Sequence, residues 1–547
     1  MELPGEPVAG REALHGGTGR HRAGGTSQGN ARGPRPSDDA HDPAVASDPA
    51  DRSLSSGSLP PDGAPPAPEG QSLFGRGLLY VAVWSLQLLS AVVVYPVLAH
   101  LLPADEFGRL ASGMALSQVL VVLAVLGFDQ AVILLRAETG SDRAARSLIA
   151  AGVGIGAVVT LVAVATAGLW SDTLGFDGNS SLVLVTLLWT PPSVGIVLSS
   201  VMLLSEDRLK AFSLVNVMYG VGGQVVGMLL IVLLDRRTAM TYAFGYLGAL
   251  VVTMVIGFVL VRPRWSGITD VPLARRALKL GVPLMVSSLA VYVLNAGDRL
   301  VIQRVLGAEE VGRYQIAYNV GNVAIILLGM ASMAWAPQIA AVRDEAARWV
   351  LIGRSRDALI RLMVPVIIGL TLGAPLALVI AAPASFAPDE LLIVVFLVAA
   401  AGFPVLIGNA SARALITLEH TNNLAVAAIV AAVVNVVLNV VLLPVWGLAG
   451  GAAATMVAFV VQTVMHRLAL PKHVQWPRIP WKLVAAAGAA LAVSALSTLL
   501  PQDTAWNLGR FGVAVLCLPW FLHQLKIARA GDTAGITAPD GERAPAG

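Results

Sequence analysis

One cysteine, Cys517, stands in the 547 residues of this chain. A single thiol excludes a disulfide framework and any multi-cysteine metal site. Lysine is nearly as scarce, with Lys210, Lys279, Lys472, Lys482 and Lys526 among 37 basic residues. None of the five follows a glycine, so the chain holds no G-x-x-x-x-G-K-[ST] phosphate loop. Charged residues make up only 13%, about half of the roughly 25% usual in soluble domains. The net charge of +3 is too small for a nucleic-acid partner, which needs a basic face.

Apolar residues fill the space that charge leaves. They reach 56%, and the mean hydropathy is +0.73. Residues 1–72 are the exception: Gly, Pro, Ser, Ala and charge with little to bury, which reads as a disordered tail. Its start, "MELPGEPVAG", lacks the basic end and apolar core of a secretory signal. Residues 527–547 have the same tail-like composition.

A membrane-spanning helix needs about 20 largely apolar residues. Fourteen runs qualify: 78–101, 107–128, 147–169, 181–204, 211–234, 241–261, 280–306, 314–336, 362–382, 391–409, 424–445, 448–466, 483–500 and 508–525. They are called spans one to fourteen below. With the N-terminal tail inside, the inner loops and span ends between Arg76 and Arg529 carry twenty-three Lys/Arg and the outer ones seven. The positive-inside rule then predicts a multi-pass protein with both termini in the cytoplasm. Arg236 and Arg237, in an outer loop, run against it.

The turn "LPADEFGRL" at 102–110 returns as "LGAEEVGRY" at 306–314, 204 residues later. Leu306 falls over Leu102, Glu309 over Asp105, Gly312 over Gly108 and Arg313 over Arg109. One turn follows span one and the other span seven, so both lie on the same side of the membrane. The predicted organisation is two six-helix bundles of equal topology, 76–262 and 280–470. A basic linker, 263–279, joins them, and two appended helices lie within 482–526. Parallel repeats of this kind are related by an axis along the membrane normal and hold a substrate site between them.

Polar residues within spans are costly in lipid and turn toward protein or water. At 100° per residue, Ser288, Tyr292, Asn295, Arg299 and Gln303 form one stripe on span seven, with Asp298 beside it. Gln315, Tyr318, Asn319 and Asn322 share a stripe on span eight. Together they predict the wall of a hydrated cavity for a cargo rich in hydroxyls. The competing reading makes these amides interhelical glue, at ~1 kcal/mol each. Tyr80, Trp84 and Gln87 share a face of span one, with Arg76 at its entrance; Asn435 and Asn439 are one turn apart on span eleven. His466 reads as interfacial, and Asp129 as a cap or an ion-pair member at a span end. No hydrolytic constellation, metal cluster or cofactor motif stands out, and the longest outer loop is about 12 residues, a usual helix connection. A membrane glycosyltransferase or polymerase would need larger loops bearing acids or Arg/His, so a non-enzyme is expected.

The segment "GVPLMVSSLAVYVLNAGDRLVIQRVLGAEEVGRYQIAYNVGNVAIILLG" resembles the polysaccharide-transporter branch of the multidrug/oligosaccharidyl-lipid/polysaccharide exporter superfamily, which includes the Wzx-type O-antigen flippases. The matching features are Pro283, the pair Asp298 and Arg299, the turn 306–314, and Tyr318 with Asn319. The resemblance extends over 76–470; the long N-terminal tail departs from the family pattern. It implies an all-α fold of two bundles in a V, similar to multidrug (MATE-type) exporters. It implies a flippase in the bacterial cytoplasmic membrane that translocates undecaprenyl-diphosphate-linked oligosaccharide for polysaccharide biosynthesis. It also implies membrane lipids around the cargo, coupling to H+ or Na+ as an open question, and polysaccharide polymerase and glycosyltransferases as partners. The substrate-binding residues expected on this reading are Arg76, Gln87, Tyr292, Asn295, Asp298, Arg299, Gln303, Gln315, Tyr318, Asn319, Asn322, Asn435 and Asn439. Arginine suits a diphosphate because its fork makes paired, charge-assisted bonds. Two alternatives stay open: a lipid II flippase with the same diphosphate logic, and a cation-coupled multidrug exporter, which would favour acids deep in the cavity.

Overall fold

Long apolar runs in a chain that must satisfy every backbone group internally can only become helices, and helices are what the computed structural model contains. It describes residues 90–176, 180–333, 335–472 and 474–536; among these there is no strand. Residues 1–72, Arg76, Tyr80, Trp84 and Gln87 lie outside the described residues, as does the first half of span one.

Eleven helices are long and apolar enough to cross a membrane. One of them, Thr421–Leu468, is two spans: Gly447 inside it has φ 55° and ψ −142°, a conformation open only to glycine, so the chain reverses between spans eleven and twelve. The shorter apolar helices Val92–Leu101 and Trp481–Ser497 are the described part of span one and span thirteen. The fourteen spans are thereby accounted for, and the chain is a polytopic all-α membrane protein.

Several boundaries differ from the sequence reading, each for a local reason. Span two runs as Ala104–Val125 and then, past left-handed Leu126 and Gly127, as Phe128–Thr139. Asp129 lies in the first turn of that second piece, where an acid favours the helix dipole. The expected linker 263–279 is folded. A 3-10 turn, Trp265–Thr269, packs Gly267 on the backbone of Ser147, and Asp270 then caps a helix that starts at Val271 and carries span seven to Val305. Span nine likewise begins early, within Glu345–Ala381. The tail expected at 527–547 is helical as far as Ile536, as an extension of span fourteen.

The repeated turns sit at one end of the bundle, here the turn end; the Arg-rich connections sit at the other, the basic end. Span two packs against both spans seven and eight. At the turn end a Cβ on Gly108 would stand 1.7 Å from the carbonyl oxygen of Ala308, and one on Gly312 would stand 2.3 Å from that of Ala104. Residues matched by the repeat therefore meet each other reciprocally, as across a two-fold axis. Near the basic end Gly127 and Gly281 touch backbone to backbone. Spans thirteen and fourteen pack on the helix of span nine, where Cys517 lies against Gly369.

Candidate functional site: a polar wall on spans seven and eight

The stripe of span seven changes character along its length. Ser288, Tyr292 and Asn295 are exposed, whereas Arg299 and Gln303 are buried. The seal comes from the first bundle. Ser112 of span two donates to Gln303 Oε1 at 2.9 Å, and Gln303 Nε2 donates to the carbonyl of Gly175 at 2.8 Å. Gln303 thus joins the two bundles rather than facing a cavity. Phe107 meets Phe386 edge-on with ring centroids 5.7 Å apart, closing the same end. The repeated acid–arginine pairs act alike: Arg109 bonds Glu106 at 2.7 Å and Arg313 bonds Glu310 at 2.6 Å, while Glu106 also accepts from the first backbone N–H of span six at 2.6 Å.

One turn below Gln303, Arg299 is enclosed. Its Nη1 donates to Asp298 Oδ1 at 2.6 Å and to the carbonyl of Asn295 at 2.7 Å, and its Nε donates to Gln315 Oε1 at 3.1 Å. Tyr314 donates to the other oxygen of Asp298 at 2.6 Å. The guanidinium lies 4.0 Å from the ring centroid of Tyr318, within cation–π range. Gln315 passes the chain to Asn319 at 2.8 Å. The pair Asp298 and Arg299 is thus a buried unit bonded through both carboxylate oxygens and through Nε and Nη1, and two expected polar faces, on spans seven and eight, form one network.

Tyrosines stand in both bundles. Of the eight tyrosines in the chain, Tyr80 lies outside the described residues and the other seven stand on spans one, five, six, seven and eight. Tyr314 and Tyr318 adjoin Arg299, and in span six Tyr242 stacks on Tyr246 with ring centroids 6.0 Å apart. Tyr219 stands on span five. The π-helical turn Met218–Gly222 places Tyr219 there. Such turns recur at functional sites. Sequence reasoning passed over Tyr95, Tyr219, Tyr242 and Tyr246, although tyrosine scarcity and placement within spans were visible.

Beside the network, a cavity of about 280 Å³ opens in the second bundle between spans seven, eight, ten and twelve. Asn295, Tyr318 and Asn322, all expected, line it together with Asn409, Gln462 and His466, which were not. His466 is buried beside the carbonyl of Gly408, at 3.3 Å, rather than interfacial. Asn435 and Asn439 go elsewhere. Both are fully buried, Asn435 bonds Thr455 at 3.1 Å, and Asn439 bonds the Asn435 carbonyl at 2.9 Å. They hold span eleven to span twelve.

Two bundles that meet through matched turns, with a polar network between them, define a membrane protein of the exporter fold. Comparison with known proteins agrees. The family model described as "Polysaccharide biosynthesis protein" matches residues 75–342. The fold is similar to a lipid II flippase MurJ in an inward closed conformation, at TM-score 0.65 and 14% identity, covering 83% of this chain and 98% of that one. It is also similar to an inward-facing MATE family transporter of the MOP superfamily, at TM-score 0.55 and 12% identity, covering 76% and 99%. No curated protein matches by sequence. The likeness to both solved structures is one of fold, and the family model covers 268 of the 547 residues.

Proposed function

We propose that this chain is a flippase that moves a polyprenyl-diphosphate-linked oligosaccharide across the bacterial cytoplasmic membrane, with both termini in the cytoplasm. The observation that carries the reading is the stripe of span seven, open as far as Asn295 and sealed between the bundles from Arg299 to Gln303. With the basic end cytoplasmic, a cargo entering from the inside meets hydroxyl and amide groups first and the guanidinium last. Arg299 then offers the diphosphate its Nη2, which takes no part in the bonds to Asp298, Asn295 and Gln315. Asp298 and Tyr314 hold the guanidinium in place for that contact. Asn319 and Asn322 serve the sugar hydroxyls, and Arg76 and Gln87 serve the entrance on span one.

Carrying negative charge out of a negative interior is downhill by ~2.3 kcal/mol per charge per 100 mV. That term assists export without a nucleotide, and a coupling cation, H+ or Na+, can add to it. Polysaccharide polymerase and glycosyltransferases would act on the same lipid before and after transport. Lipid II, another polyprenyl-diphosphate sugar, is the alternative cargo.

The test is reconstitution in liposomes with labelled lipid-linked oligosaccharides and with lipid II, measuring label accessible on the far leaflet. Transport of oligosaccharide lipids at several times the rate of lipid II is expected. Transport of small cationic drugs, without any lipid-linked sugar moving, would replace this reading with the multidrug one.

A further inference from the structure

We propose that the cavity between spans seven, eight, ten and twelve is a subsite for one uncharged sugar residue of the cargo, read by carboxamides. The inference rests on the transport reading above and adds what the head group must be. Asn322, Asn409 and Gln462 line the cavity, Asn409 exposed and the other two half-buried, and none of the three makes a hydrogen bond to any described residue. At membrane depth an unpaired amide is costly, and such groups normally find protein partners. The same bundle shows the normal outcome at Asn435 and Asn439, which are fully buried and bonded to each other and to Thr455. Three unpartnered carboxamides converging on one cavity are therefore a recognition surface.

The chemistry of that surface selects its occupant. A carboxamide both donates and accepts, matching a sugar hydroxyl or an acetamido group, each of which does the same. No carboxylate lines the cavity, and its one imidazole, His466, lies against the Gly408 carbonyl. Arg299, the cation resting on Tyr318, does not line the cavity, and the Nη2 left over from its bonds is the one that serves the diphosphate. A uronic acid would thus bring a carboxylate to a place with no free positive partner, at the cost of desolvating it. The volume of about 280 Å³ lies just below the roughly 300–1,000 Å³ usual for ligand pockets, so it holds one sugar ring rather than a whole oligosaccharide.

The experiment uses the full chain in lipid nanodiscs with Cys517→Ala and Val405→Cys, a change at an apolar lining residue that leaves the three amides in place, and follows maleimide alkylation of the new thiol. Three lipids are the probes: undecaprenyl diphosphate bearing one N-acetylhexosamine, the same lipid bearing one hexuronic acid, and undecaprenyl diphosphate with no sugar. Protection by the first at a concentration at least tenfold below the other two is expected. In the same background Asn322→Leu and Gln462→Leu should each raise the first lipid's half-protection concentration by about tenfold, as expected when a site built to bond a hydroxyl loses its partner. The sugar-free lipid should be unaffected by either change.

Equal protection by sugar-bearing and sugar-free lipids, a preference for the uronic acid, or no protection by any lipid overturns the subsite. Far-leaflet appearance of the same lipids in liposomes separates the two proposals. Transport without selective protection removes the subsite and leaves the flippase reading. Selective protection without transport does the reverse.

Discussion

Asp298 and Arg299 are adjacent in sequence and paired in space, with Nη1 2.6 Å from Oδ1 and both side chains buried. Consecutive helical residues point about 100° apart, so the arginine must curl back to its neighbour. It does so because Tyr314, Tyr318 and Gln315 of span eight enclose the only other ways out. The pair is a joint between spans seven and eight before it is anything else.

That joint sets the first expectation. Arg299→Ala leaves the Asp298 carboxylate buried without its countercharge, a loss of about 3–5 kcal/mol when one partner of a buried pair is removed. The double change Asp298→Asn, Arg299→Gln removes both charges and should recover most of the thermal stability in detergent. If Arg299 serves the diphosphate, the double variant is stable yet transports at least tenfold more slowly than the parent. Arg299→Lys should regain only part of the rate, since an ammonium cannot make a two-pronged contact. Full transport by the stable double variant would show that the pair is structural only.

The contact between Gly108 and Gly312 sets a second. A valine at either position drives a side chain into a carbonyl, and overpacking of that kind costs about 1–3 kcal/mol. Because the two positions share one contact, the effects of Gly108→Val and Gly312→Val should be similar and clearly less than additive. Spin labels on Asp105→Cys and Glu309→Cys in the Cys517→Ala protein should move apart in both variants. An unchanged distance distribution would mean that these glycines do not hold the turn end shut.

A third follows from Gln303, which bonds Ser112 and Gly175 of the other bundle. Gln303→Ala strands a hydroxyl and a carbonyl only when the turn end is closed, at about 1–3 kcal/mol for buried groups left unpaired. Alkylation of Ser112→Cys from the turn side should therefore be slow in the Cys517→Ala protein and become on the order of tenfold faster once Gln303→Ala is added. Equal rates in the two backgrounds would return Gln303 to the cavity wall.

The fourth concerns orientation. In the Cys517→Ala protein, Thr173→Cys, between spans three and four, should react with an impermeant maleimide on intact cells. Arg354→Cys, at the basic end of the span-nine helix, should react only in inverted vesicles. The opposite pattern would turn the proposed export direction around.

By itself the sequence determined the number of spans, their order, the repeat and the stripes. Each is a one-dimensional property: twenty apolar residues in lipid have one available conformation, and a period of 3.6 residues places Tyr292, Asn295 and Arg299 on one face wherever that face points. It also held Gly108 and Gly312 in register, without saying that matched residues would touch. Only the tertiary structure decided which partner each polar group has. Gln303 and Arg299 share a stripe, yet one is bonded to span two and the other to Asp298, because the bundles close over the turn end of span seven. Asn435 and Asn439 look as suited to a ligand as Asn409 and Gln462, but the first two are spent on each other and on Thr455 while the latter pair line a cavity. A side chain's partner depends on which helices become neighbours, and helix neighbours are set by packing across a hundred or more residues, beyond the reach of any local pattern.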